Sequence, residues 1–201
     1  MKMRQVSVNR NTNETKISLK LNLDGRGILE ESVTGVGFLD HMLELFVRHG
    51  RFDMSLTCDG DTWVDAHHSV EDLGITLGNA FKEALGDCKG ICRYGSFLLP
   101  MDEALIMIAV DISGRAHLSY DVDIPAQKVG DFDTELVEEF MLGLVRSLGL
   151  TLHIRQLAGT NSHHIIEGIF KGLGRALLQA VAIDENFREE IPSTKGILGI
   201  L

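Results

Sequence analysis

Apolar side chains at alternate positions, Ile17, Leu19, Leu21 and Leu23, are separated by Ser18, Lys20 and Asn22. That spacing predicts a strand with one face in the core and one in solvent, ended by a turn at Gly25. The pattern recurs further along the chain. Glu14-Thr-Lys-Ile-Ser-Leu-Lys-Leu-Asn-Leu-Asp-Gly-Arg26 aligns with Glu103-Ala-Leu-Ile-Met-Ile-Ala-Val-Asp-Ile-Ser-Gly-Arg115 at a constant offset of 89 positions. Matching glutamates, four matching apolar positions and a closing Gly-Arg mark an internal duplication.

Two helical stretches repeat as well. His67-His68-Ser-Val-Glu71 returns as His163-His164-Ile-Ile-Glu167 at an offset of 96, which also sets Leu77, Gly78, Ala80 and Ala84 against Leu173, Gly174, Ala176 and Ala180. The small residues predict close packing against a neighbour. A third pair, 40–48 and 138–146, matches at an offset of 98 and sets His41 against Glu139. Short insertions account for the drift in offset. Each half therefore predicts strand, strand, strand, helix, strand, helix. In the first half the helices lie near 37–48 and 66–86 and the last strand near 52–59; in the second, near 133–147, 161–183 and 150–157. The expected fold class is α+β, with two βββαβα pseudo-repeats (about 1–93 and 94–201) in one domain, each a mixed four-stranded sheet with helices on one face. The halves can meet through their helices or their sheet edges, and the pattern favours neither.

With 44% hydrophobic and 24% charged residues in 201, the chain has the composition of a globular protein with a sizeable core. Its net charge of −10 argues against nucleic acid as a partner, although a few gathered cations can still hold an anionic substrate. No apolar run approaches the roughly 20 residues of a membrane span, and the start lacks the apolar stretch of a signal peptide. Cys58, Cys88 and Cys92 form no CxxC pair. Cys88 and Cys92, spaced four apart, could share one side of a helix, but a reduced, cytoplasmic chain is the expectation.

The candidate chemistry sits in the two His-His-x-x-Glu motifs. On a helix the glutamate lies one turn from both imidazoles. Adjacent histidines diverge by about 100°, so they serve two different ions, or one ion and one substrate, rather than chelating together. One such pair arises easily by chance; two at corresponding points of a duplication do not. Imidazole and carboxylate without thiolate suit manganese, iron or zinc. His41 and Glu139 are one further candidate ligand per half, although Glu135, Glu138 and Glu139 also read as a solvated acidic face. Among the few cations, Arg93, Arg115, Lys171 and Lys195 stand beside glycines or in motifs, and Ile191-Pro-Ser-Thr-Lys-Gly196 offers hydroxyls, amides and an ammonium to a phosphate. His153 alternates with Leu152 and Ile154 on a strand, and His117 reads as structural.

Taken in order, Phe38-Leu-Asp-His-Met-Leu43, Asp65-Ala-His-His-Ser-Val-Glu-Asp72, Pro100-Met-Asp-Glu-Ala-Leu105, Ser113-Gly-Arg115, Leu152-His-Ile-Arg155, Asn161-Ser-His-His-Ile-Ile-Glu167 and Pro192-Ser-Thr-Lys-Gly196 resemble the imidazoleglycerol-phosphate dehydratases, from about residue 4 to 198. The resemblance implies a hydro-lyase of histidine biosynthesis that dehydrates D-erythro-imidazole glycerol phosphate to imidazole acetol phosphate. It implies two Mn2+ ions per active site, and a homo-oligomer of 24 subunits with active sites between them. The implied metal ligands are His41, His67, His68, Glu71, His163, His164 and Glu167. Arg93, Arg115, Lys171, Ser193, Thr194 and Lys195 would bind the phosphate, Glu14 would lie near the reacting diol, and His49 would border the substrate. Glu14, Glu167 and His41 are the implied catalytic groups.

Two positions depart from the family pattern. Glu139 replaces a histidine that many members use as a ligand; glutamate also binds manganese, so it stays in the ligand set and exchanges a neutral donor for an anion. Leu45 replaces a glutamine of some relatives. Read from the residues alone, the same ligands also suit a two-metal hydrolase, or a shell in which ions only join subunits. Which carboxylate gives and which takes a proton is left open.

Overall fold

The computed structural model describes residues 4–199. The expected order of elements is present twice. The first half runs β1 (Gln5–Asn11), β2 (Thr15–Asn22), β3 (Leu29–Val33), α1 (Gly37–Gly50), β4 (Asp53–Gly60) and α2 (His67–Leu85). The second runs β5 (Tyr94–Met101), β6 (Ala104–Asp111), β7 (His117–Asp121), a small hairpin of β8 (Lys128–Val129) and β9 (Phe132–Asp133), α3 (Leu136–Leu148), β10 (Thr151–Ala158) and α4 (Ser162–Val181). The sheets have the same order, β1-β2-β4-β3 and β5-β6-β10-β7, each with one parallel pair (β3 with β4, β7 with β10). In β2 the alternation is obeyed: Ile17, Leu19 and Leu21 are buried while Lys16, Ser18 and Lys20 are exposed.

The halves join through their helices, and they do so crosswise. The short helix of each half lies on the long helix of the other, α1 on α4 and α3 on α2. Glycine makes both contacts intimate. A Cβ on Gly78 would stand 2.7 Å from the Leu144 carbonyl oxygen, and one on the equivalent Gly174 2.6 Å from that of Phe46. Backbone therefore touches backbone, as the small residues predicted. The helices lie between the two sheets in one continuous core that includes Phe46, Phe81, Phe140 and Phe170. Buried on nearly all sides, α4 is apolar around most of its circumference.

One alternative falls and one boundary is corrected. Cys88 and Cys92 share no helix, because α2 ends at Leu85, before Gly86 at φ 58°; Cys88 is buried in the following turn and Cys92 is exposed. The second short helix begins at Leu136 rather than 133, because Phe132 and Asp133 are paired in the β8–β9 hairpin.

Candidate active site

The crossed helix contact brings together residues 122 or more positions apart in sequence. His41 on α1 meets His163 and Glu167 on α4, with one ligand atom from each all within 4.8 Å of one another. Asn161 caps α4: its side chain accepts from the backbone N–H of His163 at 2.9 Å and of His164 at 3.3 Å, fixing the turn that carries both rings. The His163 ring lies edge-on to Phe38, with centroids 5.2 Å apart. Its Nε2 is 3.2 Å from a Glu167 carboxylate oxygen. Glu167 is only 7% exposed. Burial opposes its charge, and the Lys171 ammonium one turn on, with help from His163 and His41, outweighs that and holds the carboxyl below the usual range. His49 lies two turns further along α1 from His41. Burial, then Lys171 and Arg175, keep its imidazole below the ordinary value against the opposing pull of Glu167. Two imidazole nitrogens and a buried carboxylate converging this closely, with no thiolate, fit a borderline divalent cation.

His68 and His164 turn elsewhere. The rings of His163 and His164 are 6.3 Å apart at 77°, those of His67 and His68 6.2 Å apart at 86°. His68 Nδ1 is 3.0 Å from Asp61, and its Nε2 3.8 Å from Glu14. His164 Nδ1 is 2.7 Å from Glu103, and its Nε2 3.8 Å from Asp102. The bonds to Asp61 and Glu103 raise the two imidazoles, and the bond from His164, with the Asn161 amide, lowers Glu103 to about 2.

The remaining candidate ligands sit at the other helix contact. The glycine at Gly74 meets the Phe140 carbonyl, and Gly143 meets that of Glu71, so α2 and α3 run alongside with Glu139 level with Glu71, as His41 is with Glu167. Glu139 is half-buried, whereas Glu135 and Glu138 are exposed. Among the described residues only His41, His163 and Glu167 converge as tightly as a metal requires.

The cations fall into two places. Arg93, with a left-handed backbone (φ 70°) unusual for a non-glycine, donates to Asp111 at 2.7 and 3.1 Å and to the Pro192 carbonyl at 2.8 Å. Exposed Arg115 reaches the same Asp111 at 3.9 Å. The tail carrying Ser193, Thr194 and Lys195 continues past the Gly114 turn, where Gly199 lies against it. Lys171 is not with them; it faces Glu167. The Arg93 amide binds the carbonyl of Ala180 near the far end of α4. At 1.5 Å per residue that is about 25 Å of helix from His163. A cleft of about 1060 Å³, lined by Arg4, Arg51, Lys89 and Arg188 among others, contains none of the candidate ligands.

Sequence reasoning did not single out Asp61, Asp102, Glu103 or Asp111. Glu103 had a signal, its repeat match to Glu14; the others are single aspartates in turns or at a strand end.

The imidazoleglycerol-phosphate dehydratase family model matches residues 34–177. An imidazoleglycerol-phosphate dehydratase of Desulforamulus reducens is 57% identical over 195 residues, covering 97% of this chain and 98% of that protein. One from Heliobacterium modesticaldum is 56% identical, covering 98% and 100%. Among solved structures, the Staphylococcus aureus enzyme superposes with a TM-score of 0.81 at 40% identity, covering 90% of this chain and 99% of that one. The Pyrococcus furiosus enzyme in complex with (S)-C348 gives 0.82 at 40% identity, covering 95% and 100%.

Proposed function

This chain belongs to the imidazoleglycerol-phosphate dehydratase family of hydro-lyases, and from that premise we propose that it converts D-erythro-imidazole glycerol phosphate to imidazole acetol phosphate in histidine biosynthesis. The observation that carries the reading is the convergence of His41, His163 and Glu167. These three would hold one Mn2+, and His67, Glu71 and Glu139 a second. When bound, such ions supply Lewis acidity toward the imidazole ring and the diol.

The reaction removes a hydroxyl from the carbon beside the ring and a proton from the next carbon, which has no carbonyl to acidify it. One group must take that proton and another must protonate the leaving hydroxyl. Glu167, tied to Lys171 and His163, is committed as a ligand and remains anionic. Glu14 has an exposed carboxylate whose only ion-pair contact among the described residues is the long one to His68, so it is the group free to move protons. His49 borders the bound ring, and Lys171 adds positive charge beside it. Arg93, Arg115, Ser193, Thr194 and Lys195 hold the phosphate.

One copy of the chain does not complete this site. The phosphate residues lie some 25 Å along α4 from His163, too far for one small substrate to bridge. His68 and His164 also point away from their own helix contacts. Both facts support sites shared between subunits of a homo-oligomer, up to the 24 of the family. Incubating the purified protein with Mn2+ and imidazole glycerol phosphate tests the reading: the acetol phosphate should form, stop on chelation and resume when Mn2+ is returned. Undiminished turnover after exhaustive metal removal would contradict it, and release of inorganic phosphate instead would make the protein a hydrolase.

A further inference from the structure

Each of the outward-turned histidines has a carboxylate on its Nδ1, and the two carboxylates come from non-equivalent places in the duplicated chain. Asp61 stands between β4 and α2; Glu103 stands in the β5–β6 turn. The repeat predicts a different partner for His68, because the counterpart of Glu103 is Glu14. Glu14 instead lies 3.8 Å from Nε2, the same distance at which Asp102 lies from Nε2 of His164. The two halves have thus reached one arrangement by separate routes: a carboxylate bonded to Nδ1, and a second, loosely placed one beyond Nε2.

We infer that Asp61 and Glu103 are positioning residues that hold the Nδ1–H tautomer of His68 and His164, so that each presents Nε2 as a lone-pair donor to an ion bound by another subunit. The inference rests on the shared, metal-holding site proposed above. A carboxylate only accepts, so the Nδ1 it faces must carry the proton, and in a neutral ring that leaves Nε2 bare. A casual surface ion pair would be loose and worth little. These are not loose. Asp61 is 7% exposed and places both oxygens within 3.2 Å of the ring nitrogen. Glu103 has its other oxygen fixed by the Thr160 and Asn161 amides at 3.2 and 2.8 Å, so it is in place before the imidazole arrives. Asn161 is also the cap of α4, so Glu103 ties the ring and the helix start to one anchor. The arrangement also frees Glu14: with Asp61 on Nδ1, the repeat's other glutamate is not needed to orient the ring.

The tautomer is read directly by nitrogen-15 NMR of metal-free, histidine-labelled protein. Protonated Nδ1 and bare Nε2 at both His68 and His164 are expected, and Nε2–H on both would overturn the inference. That measurement needs no substitution, so it stands even if a variant fails to fold. Asp61→Ala and Glu103→Ala should then lose the tautomer preference and bind Mn2+ on the order of 10–100-fold more weakly in an electron paramagnetic resonance titration, the usual cost of losing a ligand's hydrogen-bond partner. Asp61→Asn and Glu103→Gln, which keep a carbonyl acceptor, should recover part of the loss. Alanine variants that bind Mn2+ as tightly as the parent would also overturn the inference. A parent that binds no Mn2+ would instead refute the proposed function, whatever the tautomer.

Discussion

The α1–α4 contact and the α2–α3 contact are one structure made twice, yet only the first gathers its ligand atoms. In the first, His41 brings an imidazole to His163 and Glu167, and Lys171 balances the one carboxylate. In the second, the counterpart of His41 is Glu139, so two carboxylates, Glu71 and Glu139, share a contact with His67. The counterpart of Lys171, at the repeat offset of 96, is Ile75, which offers no charge. Like charges brought to one helix contact repel. The first contact is therefore preorganised by its own side chains, and the second would rely on the proposed ion to draw its ligands in. The duplication preserved the scaffold and divided the electrostatics.

The same division separates the duplicated glutamates, and the largest expected effect tests it. Glu14→Gln should lower kcat on the order of 10²- to 10⁴-fold with Mn2+ saturating, the usual contribution of a positioned acid or base. Glu103→Gln, which keeps an acceptor for His164, should leave kcat at saturating Mn2+ within a few-fold of the parent. Steady-state kinetics on both variants checks this, and equal losses would mean that the halves do not differ as described. A smaller effect is expected at the second helix contact. Glu139→Gln should weaken Mn2+ binding on the order of 10–100-fold. Glu139→His should restore tight binding by recreating the His41 arrangement. Glu138→Gln, on the exposed face of the same helix, should change stability by no more than about 0.5 kcal/mol and leave metal affinity alone. A Glu139→Gln variant that titrates like Glu138→Gln would remove Glu139 from the ligand set.

Much of this was legible in the residue pattern, for physical reasons that also mark where it stopped. Ile17, Leu19 and Leu21 alternate because one face of β2 is buried, so strand, face and fold class could all be read. Repetition made the second half readable from the first. The crossed joining was not legible: Gly78 and Gly174 announce a close neighbour, but a missing side chain says nothing about which backbone fills the space. The β8–β9 strands, two residues each, are too short to show a period. The repeat marked candidate ligands, because histidine pairs in register are rare, and three of them, His41, His163 and Glu167, converge. Their grouping was not, since it depends on α1 crossing to α4. Asp61 gave no signal, because a single aspartate just past a strand ordinarily reads as part of the turn.

The central claim is that one scaffold holds two metal sites of unequal charge. Titrating Mn2+ into exhaustively metal-free protein, with bound ion followed by electron paramagnetic resonance, tests it most directly. The account predicts two ions per chain filling in two separable steps, with Glu139→Gln weakening one step and His41→Ala the other. A single ion per chain, or two indistinguishable steps that both variants disturb alike, would contradict it.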